Sequence, residues 1–157
     1  MKMSLWGTEI LIERNDTRSC EQVYKDYLEH VWNTDLAVFE HEIRKWDTTS
    51  DTGYWMTSHN HGQSQLTSIH YTHIDGLGGD LIIQDPRANA NRGWPQELAH
   101  NFQPMVVQPQ AGMTVTFPSY CYHLVSPFYG TTRAAHVSEL QLWSMSTGAS
   151  SQGATAV

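Results

Sequence analysis

Three imidazoles and one guanidinium are the groups in this sequence best suited to carry chemistry. His59-Asn60-His61 is a His-x-His pair. On a strand, residues i and i+2 project to the same side, so both rings could meet one ion from a single rigid edge. Taken alone, such a pair is equally compatible with a solvated surface. It gains meaning from His123, which follows Phe117-Pro118-Ser119 at the start of another strand-like run. Three ligands from two strands leave half an octahedral shell open, the coordination that a non-haem iron uses when cosubstrate and O2 must also bind. Arg133 stands ten residues beyond His123 and heads the apolar run Ala134–Leu142. A guanidinium buried in a barrel needs an anionic partner, because an unpaired buried charge is very costly. Few acids punctuate the neighbouring strands, and a bound dicarboxylate would supply the charge through a bidentate pair. A surface salt bridge at a strand end is the other reading of Arg133.

The elements that must position these groups fall into two textures. In the first third, Glu9–Ile12 reads as a strand closed by Asn15-Asp16. Ser19 with Gln22 forms a capping box, in which each side chain satisfies a free backbone N–H at a helix start. Val23, Tyr27, Leu28 and Val31 then share one helical face. A second helix is expected from about Asp35, with Leu36, Phe39, Ile43 and Trp46 at helical spacing and in the core. From residue 53 the apolar runs become short and are separated by Gly, Pro, Asn and Asp: Tyr54–Met56, Leu66–Tyr71, Asp80–Ile83, Met105–Val107, Met113–Phe117, His123–Val125 and Ala134–Leu142. Short strands at this spacing indicate a β-sandwich or jelly roll. Gly76–Gly79 reads as a hairpin turn. The polar segment Asp85–Phe102, carrying Arg87, Arg92 and Trp94, is long enough to be a lid over a site or a plain surface loop. Residues 146–157, rich in Ser, Gly, Ala and Thr, read as a disordered tail.

Composition sets the outer limits. The 157 residues suit one domain, residues 1–145, with 1–50 as an N-terminal strand and helical buttress and 51–145 as the β core. Nine Lys plus Arg against 16 Asp plus Glu give a formal charge of −7, which argues against nucleic acid as a partner. No signal-peptide pattern opens the chain and no run approaches membrane-spanning length, so a cytoplasmic location is expected. Cys20 and Cys121 read as two free thiols rather than a disulfide. A homodimer stays open.

The segment His59–Tyr71 resembles the H-x-H-P-x-S-x-L-S-G-V-Y-Y signature of a family of short 2-oxoglutarate/Fe(II) oxygenases of the prolyl-hydroxylase-like superfamily. The same resemblance extends to Gly79-Asp80-Leu81-Ile82-Ile83-Gln84-Asp85-Pro86-Arg87, to Gly112 through Ser119, to His123-Leu124-Val125-Ser126-Pro127 and to Arg133, with Leu5-Trp6-Gly7-Thr8-Glu9 matching the family's start. It implies a mainly β fold with N-terminal helices, a double-stranded β-helix of the jelly-roll, cupin-like kind. It implies iron(II) held by His59, His61 and His123, with Arg133 pairing with the distal carboxylate of the cosubstrate 2-oxoglutarate. Tyr71 aligns with a tyrosine that hydrogen-bonds the same carboxylate, although it also reads as a core aromatic. The implied activity is a dioxygenase that hydroxylates a peptidyl or small-molecule substrate with O2, releasing succinate and CO2.

Two departures bear on the site. Gly62 replaces the family's proline, and His61 stands where the wider superfamily has the carboxylate of His-x-Asp/Glu, which removes the ligand charge that would offset iron(II). His73-Ile74-Asp75 is a nominal alternative, set aside because it follows the end of its strand and abuts the glycines. Cys121 could share the face of His123 or simply pack, and Trp55 and Trp94 could line a substrate cleft or anchor core and loop. The rival to an oxygenase is a cupin-like metal-binding module without oxygen chemistry, which has no need of Arg133. A purely structural β-sandwich would account for neither the His-x-His pair nor its match to His123.

Overall fold

The computed structural model describes residues 1–87 and 92–146. Ten strands run in the order β1 (Lys2–Leu5), β2 (Thr8–Glu13), β3 (Phe39–Ser50), β4 (Met56–His59), β5 (Leu66–Ile74), β6 (Leu81–Ile83), β7 (Met105–Val107), β8 (Thr114–Pro118), β9 (His123–Val125) and β10 (Arg133–Ser144). One helix, α1 (Cys20–Val31), lies between β2 and β3, and 3-10 turns occupy Leu36–Val38 and Gln96–Phe102. A six-stranded sheet has the order β1-β2-β8-β5-β10-β3 and faces a four-stranded sheet of order β4-β9-β6-β7. All the strand pairings are antiparallel. This is the jelly-roll arrangement expected from the short strands.

Strand periodicity splits the large sheet into two faces. Ile10, Ile12, Ile69, Tyr71, Val115, Phe117 and Ala135 point inward and meet Leu81, Ile83, Met105 and Val107 of the small sheet. Leu66 and Leu140 point outward and pack under Tyr24, Tyr27 and Leu28 of α1. The helix starts where the sequence says, with the Ser19 hydroxyl accepting from the Gln22 N–H at 3.2 Å. Gln22 completes only half of the box, because its amide donates to Asp26 instead. Polar ties lock the helix to the sheet: the Tyr24 hydroxyl bonds Ser138 at 2.8 Å, and the Tyr27 hydroxyl donates to the Glu9 carbonyl at 2.6 Å.

Two expectations are corrected. The second helix is the 12-residue strand β3, paired along its whole length with β10. Leu36 and Ile43 do share the helix-side core, and Phe39 is on the strand face of Ile43, which mimics helical spacing, but Trp46 points to the other face. Gly76–Gly79 is not a hairpin, since β5 and β6 belong to different sheets and the glycines carry the chain across. At Gly78 (φ 74°) a Cβ would fall 2.1 Å from the Pro127 carbonyl oxygen, so only glycine fits this crossing. Strand β1 was unforeseen. The expected tail lies, from residue 147 onward, outside the described residues, as do residues 88–91 of the long polar segment.

Candidate metal and cosubstrate site

His59 closes β4 and sits directly opposite His123 on β9. His61 lies just beyond the strand, in a turn fastened from below by Ser119. The Ser119 carbonyl accepts from the His61 N–H at 3.1 Å, while its hydroxyl bonds Ser64 and Thr67 at 2.8 and 2.7 Å. The Phe-Pro-Ser run and the residues after His61 are therefore one clamp that holds the histidine turn.

One ring nitrogen of each of His59, His61 and His123 lies within 4.8 Å of the others. His61 Nε2 and His123 Nε2 are 3.4 Å apart. The opposite nitrogens are all tethered. His59 Nδ1 donates to the Thr57 carbonyl at 2.9 Å, His123 Nδ1 donates to the Cys121 carbonyl at 3.1 Å, and His61 Nδ1 is bonded to the Glu139 carboxylate. A carbonyl can only accept, so the proton of His59 and of His123 is fixed on Nδ1 and Nε2 is left as a lone-pair donor. Lone pairs gathered in this way suit a cation. Burial lowers His123 to about 4, and the neighbouring His59 and His61 push in the same direction, so its ring is neutral and ready to ligate.

On the floor of the same cleft lies Arg133, only 4% exposed. Its Nε donates to the Gly79 carbonyl at 3.2 Å, and its guanidinium rests 5.2 Å from the centre of the Tyr71 ring and 5.9 Å from that of Tyr54. Gly79 is a cradle for it: a Cβ there would sit 3.0 Å from Arg133 Cδ. Among the described residues no carboxylate pairs with Arg133, which removes the strand-end salt bridge as its explanation. The Tyr71 hydroxyl is buried and has no hydrogen-bond partner. Burial pushes it up to about 12 against the pull of Arg133, so it is a neutral donor. A buried cation and a buried hydroxyl, both open to an acceptor, match a carboxylate, and the fit of the residues to iron plus a dicarboxylate holds on both counts.

The cleft is walled by apolar groups, including Trp46, Met56, Ile69 and Val137. Trp46, which sequence spacing placed in a helix core, stands at the mouth 6.2 Å from the His61 ring. The two tryptophans expected near a cleft are elsewhere: Trp55 is on the outer side of the small sheet, and Trp94 stacks on Phe102. Arg87 pairs with Asp85 at 2.7 Å. No described residue of the long segment lines the histidine cleft, and residues 88–91 lie outside the described ones; His100 lines a groove beside Met1 and Met3. Asp75 is likewise remote in role, accepting from the Thr131 and Thr132 N–H groups at 2.8 Å to close a turn. Cys20 and Cys121 are free; burial raises the Cys121 thiol to about 12 and its side chain packs in the core, so its contribution to the site is its backbone carbonyl. Sequence reasoning missed Trp46, Tyr54 and Glu139. The signal for Glu139 was available, because period-two alternation from Arg133 puts it on the same face.

A family model described as "Putative 2OG-Fe(II) oxygenase" matches residues 44–138, more than half of the chain. The chain belongs to this family. A 2OG-Fe(II) oxygenase is an oxidoreductase that uses Fe(II), 2-oxoglutarate and O2. No curated protein matches the chain. Among solved structures, similarity extends to a 2OG-Fe(II) oxygenase family oxidoreductase from Burkholderia pseudomallei, with 12% identity, TM-score 0.55, and coverage of 90% of this chain and 72% of that one. A prolyl-4-hydroxylase from Pseudomonas putida aligns at 19% identity and TM-score 0.52, over 84% of this chain and 70% of its own. The 2OG complex of the viral collagen prolyl hydroxylase of Paramecium Bursaria Chlorella virus-1 aligns at 10% identity and TM-score 0.51, over 85% and 79%. At these identities the likeness is one of fold.

Proposed function

We propose that His59, His61 and His123 hold the iron(II) of this 2OG-Fe(II) oxygenase and that Arg133 and Tyr71 hold the distal carboxylate of 2-oxoglutarate. The proposed outcome is hydroxylation of a substrate C–H. When bound together, metal and keto acid supply O2 activation, in which 2-oxoglutarate, O2 and R–H become succinate, CO2 and R–OH. The chain's own residues bind, orient and exclude water. The tethered Nδ1 atoms aim three lone pairs at one point, Arg133 and Tyr71 fix the far end of the cosubstrate, and the apolar walls keep the reacting centre dry.

The observation that carries this reading is the pairing of Arg133 and Tyr71 beside the cleft where the histidines converge, both buried, the guanidinium with no carboxylate partner among the described residues and the hydroxyl with no hydrogen-bond partner. A metal-binding module of the cupin kind would leave both groups unexplained. The half-exposed Trp46 and Met56 beside the histidines suit a peptidyl or small-molecule substrate with an apolar part. Anaerobic titration with Fe(II) and then 2-oxoglutarate tests the proposal. A visible charge-transfer band should appear with both present and be lost in His123→Ala. Iron binding with no band, and no succinate formed in air, would instead support the cupin-like module.

A further inference from the structure

His61 brings no charge to the metal position, yet the structure sets a carboxylate directly behind it. Glu139 projects from β10 on the inward face shared with Arg133, Ala135 and Val137. Its carboxylate bonds His61 Nδ1, and both side chains are largely shielded, 13% and 14% exposed. Arg44 lies opposite Glu139 in the β3–β10 register, but its guanidinium turns away and donates to Gln141 at 2.8 Å. Among the described residues no lysine or arginine pairs with Glu139, and His61 is its one ionic partner. The other two rings are tethered only to backbone carbonyls. The three histidines are thus not equivalent, and the one outside a strand has the anionic tether.

We infer that Glu139 is a positioning residue of the metal centre, orienting His61 and placing behind it the negative charge that the ligand itself lacks. The inference rests on the proposed iron site. A carboxylate hydrogen-bonded to the far nitrogen of a ligating imidazole fixes the tautomer, holds the ring plane and makes the near nitrogen a stronger donor. It also offsets part of the cation's charge across the ring. Within this chain, His61 and Glu139 together do the work of one carboxylate ligand, divided between a turn and a strand that meet only in the folded protein.

The test compares wild type with Glu139→Gln, Glu139→Asp and Glu139→Ala by Mn(II) binding in anaerobic calorimetry, by the visible spectrum of the Co(II) form, and by melting of the metal-free proteins. Glu139→Ala should bind Mn(II) about 10–100-fold more weakly and alter the Co(II) spectrum. Glu139→Gln, which can still accept from Nδ1 but carries no charge, should lie between Ala and wild type, and Asp should recover part of the loss. Metal-free melting of the Gln variant should stay close to wild type, which separates a role at the metal from one in folding. Mn(II) affinities within twofold of wild type for both Ala and Gln would overturn the inference. An affinity loss in Ala with none in Gln would overturn its charge component. His123→Ala is the control: if wild type binds Mn(II) no better than this variant, the metal reading itself fails, whatever the Glu139 variants do.

Discussion

The Tyr71 hydroxyl is buried without a hydrogen-bond partner and the Arg133 guanidinium is buried without a carboxylate among the described residues, and that makes their substitution informative in two directions. Leaving a buried hydroxyl without a partner costs about 1–3 kcal/mol, so Tyr71→Phe should melt at a temperature equal to or above wild type in the absence of ligand. The same variant should need more 2-oxoglutarate, because the donor to the distal carboxylate is gone. Melting curves and the 2-oxoglutarate dependence of succinate formation read the two effects separately; a lower melting temperature with unchanged cosubstrate dependence would make Tyr71 a packing residue. For Arg133→Ala the loss of a buried charged partner is on the order of 2–5 kcal/mol, a tenfold or greater rise in the 2-oxoglutarate requirement, with Mn(II) affinity little changed. At this scale spacing and chemistry pointed to His59, His61, His123 and Arg133, and the fold gathers these four in one cleft. Alternation from Arg133 marks the face of Glu139 but not its partner His61, and a tryptophan among charged residues does not mark even its face. Both acquire a role only when β3 and β10 are brought to the turn that carries His61.

Among the elements, β3 shows how an edge strand can read as a helix. It has one neighbouring strand, its helix-side residues alternate with charged ones, and the preceding Leu36 extends the apolar pattern to helical spacing. Pairing with all 12 residues of β10 overrides that local preference, as tertiary context often does for strands. The helix α1 was legible because its cap and its buried face are local. It is further fixed by Arg18, which bonds Asp16 at 2.9 Å and Asp26 at 2.7 Å. Burial would raise the Asp16 carboxyl, but the hydrogen bonds and charge of Arg18, with help from Thr114, outweigh it and lower the group to about 2. A depressed folded-state pKa contributes stability above the ordinary carboxylate value, about 4, that is lost as pH falls through about 2. Asp16→Asn should therefore melt below wild type at pH 7, with the gap narrowing from about pH 4 downward as wild type loses its advantage. A gap independent of pH would mean that the loop before α1 is held by packing. The turn at Gly79 links element to site, since a Cβ there meets the Arg133 side chain at 3.0 Å and φ is +66°. Gly79→Ala should raise the 2-oxoglutarate requirement in the manner of Arg133→Ala although residue 79 supplies no side-chain ligand; unchanged dependence would show that Arg133 is positioned from elsewhere.

For the molecule as a whole, a jelly roll was legible in the recurrence of short strands, whereas the division into sheets was not. Partner choice rests on contacts far apart in sequence, such as β2 with β8 or β3 with β10, which no local pattern encodes. That long-range pairing also gives β10 a property of its own. It is hydrogen-bonded to β3 from Arg133 to Ser144 and to β5 from Arg133 to Leu140, so it can neither slide nor stretch. Arg133 and Glu139, six residues apart, are held ~20 Å from one another along it at about 3.4 Å per residue, so the backbone beneath the guanidinium cannot shift against the backbone beneath the carboxylate that tethers His61. The strand thus acts as a gauge block for the cosubstrate. An oxo-diacid must then fill the gap between the histidine cluster and a guanidinium held by the Gly79 carbonyl and the rings of Tyr71 and Tyr54. Oxaloacetate, one methylene shorter than 2-oxoglutarate, and 2-oxoadipate, one longer, should both be poor replacements in a CO2-release assay. Comparable turnover of all three would show that the end stops yield.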